Sequence, residues 1–211
     1  MTFYQNDSND MAPDLALQLL QSGNERFING LSANRDLLRK VAETKDGQKP
    51  FAAILSCMDS RAPAELIFDQ GIGDIFNIRI AGNVVSPYVL GSLEYAVAIA
   101  GSKLIMVMGH SGCGAVAGAC DDVKLGNLSG LLDEVKVCLP QETTETEDRS
   151  SKNKSFVNKV ALLNVHHSVQ QILAQSEIIR EHVATGKIRI VPAMYDIATG
   201  IVSFHHEMVP A

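Results

Sequence analysis

Two runs of five uninterrupted apolar residues, 51–55 (FAAIL) and 104–108 (LIMVM), constrain this chain more than any other feature. Each is too short for a buried helix and lacks the alternation of a half-solvated strand, so it reads as a strand covered on both faces. Strands of that kind belong in a parallel sheet with helices packed on each side.

The segments between these runs supply the helices. Residues 11–34 place Leu15, Leu17, Leu19, Leu20, Phe27 and Ile28 at helical spacing, interrupted by Asn24, Glu25 and Arg26. Residues 87–100 (PYVLGSLEYAVAIA) read as a helix opened by Pro87, whose missing N–H costs nothing in a first turn. A helix rich in small residues restarts over 112–119, and 156–185 reads as one long helical region stopped by Gly186. Residues 74–80 (DIFNIRI) alternate as a strand, and 188–191 form another apolar one. Residues 201–204 return through Thr199 and Gly200 as an antiparallel edge. The stretch 140–155 is almost wholly polar and reads as a surface loop. The expected fold is α/β. It is a single domain over 1–211 around a mainly parallel sheet with an antiparallel edge strand, flanked by helices and preceded by a helical arm over 1–45.

Composition narrows the function classes. With 46% hydrophobic and 20% charged residues, the chain has the apolar surface that a disordered chain lacks. A formal charge of −6 and the absence of any Lys/Arg run argue against a nucleic-acid partner. No stretch reaches the ~20 apolar residues of a membrane span, and residues 1–20 lack a basic start followed by an apolar block. Four cysteines are too few for a disulfide framework, so Cys57, Cys113, Cys120 and Cys138 are expected to be reduced, in a cytoplasmic protein.

Chemistry concentrates in two short clusters. Cys57-Met58-Asp59-Ser60-Arg61 follows the first apolar strand, and His110-Ser111-Gly112-Cys113 follows the second. Both therefore lie at carboxyl ends of parallel strands, the edge where open α/β sheets bind ligands. If those strands are neighbours, Cys57, His110 and Cys113 converge, and two thiolates with an imidazole suit tetrahedral zinc. Three protein ligands leave a fourth position open, as in catalytic zinc sites. Taken singly, each residue has a plainer reading as a buried thiol or a satisfied polar group. Cys120 and Cys138 have no such partners and read as structural. The run from Gly112 to Gly118 has the look of a dinucleotide loop, but the acidic residue expected about 20 positions on falls in no clear strand. Residues 109–113 approach a nucleophile elbow, with Cys113 where a glycine belongs.

These clusters, together with Gln48-Lys49-Pro50, Asp74-Ile75-Phe76, Arg79-Ile80-Ala81-Gly82-Asn83 and Glu94-Tyr95-Ala96, give a chain that resembles the β-class carbonic anhydrases over residues 19–204. The resemblance implies reversible hydration of carbon dioxide to bicarbonate and a proton through zinc-bound hydroxide, with one Zn2+ per chain on Cys57, His110 and Cys113. It implies a homodimer or homotetramer, with carbon dioxide, bicarbonate and water as partners. Asp59 accepts a hydrogen bond at the metal in that scheme, or in some members closes the site as a fourth ligand. Arg61 holds Asp59 ionised. Gln48 and the Gly114 N–H donate to substrate oxygen, while Phe76, Ala81 and Tyr95 form an apolar pocket. Hydrolysis of carbon disulfide or carbonyl sulfide on the same zinc site is the related alternative, and a non-catalytic structural zinc protein the unrelated one. His166, His167, His182, His205 and His206 titrate in the range of a proton shuttle, and none is assigned that role.

Overall fold

The structure is a computed structural model that describes residues 11–205. The first ten residues of the expected arm, and His206, lie outside the described residues. The first apolar run becomes β1 (Ala52–Ser56) and the second β3 (Leu104–His110), and every residue of both is buried. With β2 (Ile75–Arg79), β4 (Arg189–Tyr195) and β5 (Val202–Phe204) they form one sheet in the order β2-β1-β3-β4-β5. All pairings are parallel except β4 with β5, which is antiparallel. The two apolar runs are direct neighbours, Ser56 opposite Met108.

Because successive side chains point to opposite faces, the two runs feed two cores. Ile54, Met106 and Met108 face Leu17 and Leu20 of α1 (Pro13–Ile28), together with Ile67 of α3 (Ala64–Ile67). Leu55, Ile105 and Val107 face Leu93 of α4 (Pro87–Glu94) and Val165, Val169 and Ile172 of the longest helix. A third cluster, with Val116, Leu132, Val135, Phe156 and Val160, gathers around Cys57 and Cys113 beyond the strand ends. The arm also contains α2 (Leu37–Thr44), none of whose residues is buried. The chain between α1 and α2 is tied down by Asp69, which accepts from Arg26 and Arg35, each at 2.5 Å, and from the N–H of Ala33.

Several expected elements are redrawn. The long helix over 156–185 is two, α7 (Lys154–Gln175) and α8 (Glu177–Ala184), separated by Ser176 in extended backbone. Ser176 Oγ accepts from the Ile179 N–H and donates to Glu94 Oε1 at 2.6 Å, so a local cap and a distant acceptor together turn the corner. The helix over 87–100 is α-helical only to Glu94 and then widens into a π turn over Tyr95–Ile99. The helix expected from 112 begins at Gly114 as α5 (Gly114–Cys120). A further helix, α6 (Gly126–Lys136), occupies a stretch whose Gly126 and Gly130 weaken its helical signature. Residues 140–155 form an ordered loop. Arg149 donates to the carbonyls of Leu139, Glu142 and Glu145 and lies 4.5 Å over the Phe156 ring.

Candidate metal centre

β1 ends at Ser56 and β3 at His110, so adjacent parallel strands deliver Cys57 and His110 to the same edge of the sheet. Cys113 follows three residues later, at the residue that precedes α5. Cys57, His110 and Cys113 are all buried, and their ligand atoms lie within 4.8 Å of one another. The two sulfurs are 3.9 Å apart. Two thiolates bound to one tetrahedral zinc at about 2.3 Å each stand about 3.8 Å apart, so the spacing suits a shared ion.

The imidazole is already oriented as a ligand. His110 Nδ1 lies 3.0 Å from the Ser111 carbonyl, which can only accept, so Nδ1 carries the proton. In the neutral ring Nε2 is then the acceptor; it is buried with no hydrogen-bond partner and lies in one group of candidate ligand atoms with the two sulfurs. An orphaned acceptor of this kind costs stability unless something electrophilic meets it. This orphan and the soft donor set both fit a divalent metal.

The close sulfurs, the ring and burial shift the three groups in different directions. The hydrogen bond with Cys113 is the main cause that lowers the pKa of Cys57; burial opposes it, and His110 and the Gly82 N–H assist. The same contact, with burial, pushes Cys113 up, so the two sulfurs do not ionise independently. Backbone N–H groups of Val116 and Ala115, in the first turn of α5, favour the Cys113 thiolate. Burial lowers the His110 pKa, but the nearby Cys57 sulfur overrides it and the net direction is up.

Asp59 stands beside the cluster, with Oδ2 3.9 Å from His110 Nε2. Both carboxylate oxygens are engaged by Arg61, Nε to Oδ1 at 2.9 Å and an Nη to Oδ2 at 2.7 Å, and the Arg61 N–H adds a third bond at 2.9 Å. This fork holds the carboxyl well below the usual carboxylate range. Two further residues support the turn, and their roles are not visible in the sequence. Arg79, the last residue of β2, donates to the carbonyls of Cys57 at 3.2 Å and Asp59 at 2.5 Å. Gly82, at φ 65°, donates its N–H to Cys57 Sγ at 3.4 Å, while Asn164 of α7 holds the Gly82 carbonyl at 2.7 Å.

The expected substrate residues divide. Ala81 sits in the short 3-10 turn Ala81–Asn83 next to Gly82, and Gly114 follows Cys113, so both adjoin the cluster. Phe76 and Tyr95 meet each other, ring centroids 6.1 Å apart, but not the cluster. Phe76 pairs with Ala53, which puts it about 13 Å along the strand direction from Cys57 at ~3.3 Å per residue. Together with Ile78, Pro87, Tyr88 and Ser92 they line an open groove of about 520 Å³ beside the edge strand β2. Gln48 is exposed and lies four residues before β1, whose other end leads into Cys57. His166 is buried against His205, ring centroids 5.8 Å apart.

Comparison with known proteins agrees with this site. Residues 52–202 match the family model described as carbonic anhydrase. Carbonic anhydrase 2 of Mycobacterium tuberculosis is 39% identical over 191 residues, covering 89% of this chain and 90% of that protein. The carbonic anhydrase of Mycolicibacterium smegmatis is 34% identical over 199 residues, covering 93% and 95%. Among solved structures, a tetrameric β-carbonic anhydrase of the ascomycete Sordaria macrospora superposes with a TM-score of 0.69 at 28% identity, covering 93% of this chain and 97% of its own. A Coccomyxa β-carbonic anhydrase in complex with acetazolamide gives 0.70 at 25%, covering 89% and 85%. With its two-thiol, one-imidazole cluster at the ends of adjacent parallel strands, this chain belongs to the β-carbonic anhydrase family, whose reaction is the reversible hydration of carbon dioxide.

Proposed function

We propose that Cys57, His110 and Cys113 bind one Zn2+ per chain and that carbon dioxide is hydrated beside them. The observation that carries this is the buried Nε2 of His110, unpartnered and within 4.8 Å of two sulfurs. Bound there, zinc supplies the Lewis acidity that brings a water toward ionisation near neutral pH. Asp59, kept ionised by Arg61, presents Oδ2 to the cluster as an acceptor. It would accept a hydrogen bond from the O–H of a water held at the cluster and so orient that water's lone pair. Arg61 and Arg79 orient this acceptor and its backbone without touching substrate. Ala81, next to the Gly82 whose N–H reaches Cys57 Sγ, supplies an apolar wall there, and the N–H of Gly114, adjacent to Cys113, donates to an oxygen of bicarbonate.

Phe76, Tyr95 and Gln48 complete the pocket in this reading only from a second copy, because one chain holds them away from its own cluster. The groove beside β2, where Tyr88 is 89% exposed, is the surface that a homodimer or homotetramer covers. All four cysteines are free thiols, which suits the reducing cytoplasm. No helix among the described residues is long and apolar enough to cross a membrane. The test is zinc stoichiometry measured alongside stopped-flow hydration, on wild type and Cys57→Ala. About one zinc per chain with hydration, both lost in the variant, is expected. Hydration that survives without zinc overturns the reading.

A further inference from the structure

We propose that Asn158 is a positioning residue for His110, acting through the Ser111–Gly112 peptide to select the tautomer that leaves Nε2 free. The inference rests on the reading of His110 as a metal ligand and adds to it a residue from a distant helix.

The geometry follows one peptide plane. The Ser111 carbonyl accepts from His110 Nδ1 at 3.0 Å, and the Gly112 N–H at the other end of that plane donates to Asn158 Oδ1 at 2.9 Å. In a trans peptide the C=O and N–H point in opposite directions, so whatever holds one aims the other. Asn158 lies on α7, 46 residues along the chain from Gly112. Asparagine is a modest helix former, and its side chain here is committed outside its own helix.

The plane needs such a clamp. Gly112 sits at φ 63°, a conformation open to glycine at no steric cost, so the peptide before it is free to flip between the two common turn geometries. A flip would swing the Ser111 carbonyl away from Nδ1 and remove the reason for the proton to stay there. The Ser111 N–H donates to the Tyr195 carbonyl at 2.9 Å, while its Oγ donates to Asp196 Oδ2 at 3.3 Å and accepts from the Ile197 N–H at 3.0 Å. These bonds pin the residue but not the plane that follows it. They also keep the loop in place when Asn158 is changed, so its removal acts on orientation rather than folding.

The experiment reads the ring nitrogens of His110 by 15N NMR in the metal-free protein at alkaline pH, and zinc affinity by competition with a chromophoric chelator. Wild type is expected to show the Nδ1-protonated tautomer. Asn158→Ala is expected to show a mixture and to bind zinc about tenfold more weakly, the low end of the usual cost of an outer-shell partner. Asn158→Asp, which keeps an oxygen in the same place, is expected to restore both readouts. A wild-type ring protonated mainly on Nε2 overturns the proposal without recourse to any variant. So does an Ala variant unchanged in both readouts, or an Asp variant as impaired as Ala. Wild type that takes up no zinc overturns the metal reading instead, and the metal-free tautomer then decides the relay by itself.

Discussion

At the scale of single residues, the site depends on acceptors that are held charged and aimed. Asp59→Asn replaces one carboxylate oxygen by a donor and removes the charge that Arg61 grips, while Cys57, His110 and Cys113 remain. Metal analysis should find zinc retained, and stopped-flow assays should find turnover reduced about 10- to 100-fold, the usual cost of an outer-shell partner. Near-normal turnover would remove Asp59 from the mechanism. Asp69 is the structural counterpart. Burial raises its pKa, but the Arg35 and Arg26 bonds and the Ala33 N–H outweigh that, and the net direction is down. A lowered folded pKa contributes stability that is fully present above the unfolded carboxylate value, about 3.9, and is lost as pH falls through the folded value. Asp69→Asn should therefore cost on the order of 2 kcal/mol at neutral pH, below a fully buried pair because both arginines are partly solvated. Its deficit relative to wild type should shrink below about pH 4. Urea midpoints for both proteins at pH 7 and pH 3 check the sign.

At the scale of elements, the chain is organised by where helices and strands stop. β1 ends one residue before Cys57 and β3 ends on His110, so the sheet sets the spacing of these two groups and the loop after β3 adds Cys113. Ser176 is the least obvious stop, two-thirds of the way along a 30-residue helical pattern over 156–185. The pattern is legible because Val165, Val169 and Ile172 recur at helical spacing. The break is not, since its second half is an acceptor on Glu94, far away in sequence. Ser176→Ala removes both the cap of α8 and the bond to Glu94. It should lower stability by about 1–2 kcal/mol, read as a shift of the denaturation midpoint with unchanged slope. A shift within error would mean that apolar packing alone turns the corner.

At the scale of the whole molecule, one chain is an incomplete enzyme in this reading, because its metal cluster and its aromatic groove occupy different parts of the sheet. Tyr88→Arg places a charge on that groove and should weaken self-association by on the order of 2 kcal/mol, seen by sedimentation as a shift toward monomer, with hydration falling in parallel. Hydration unaffected in a monomeric variant would show that the cluster works without a second copy. The sequence by itself determined the parallel sheet, the antiparallel edge, the grouping of Cys57, His110 and Cys113, and the Asp59–Arg61 fork. Each of these is written in residues adjacent along the chain, either as an apolar run or as a motif at a strand end. Only the tertiary structure decided that Arg79 and Gly82 brace the turn at Cys57, that Asn158 holds the Gly112 N–H, that α7 stops at Ser176, and that Phe76 lies far from Cys57. Those facts are contacts between segments many residues apart, or distances set by strand register, and short-range periodicity and spacing carry no record of either.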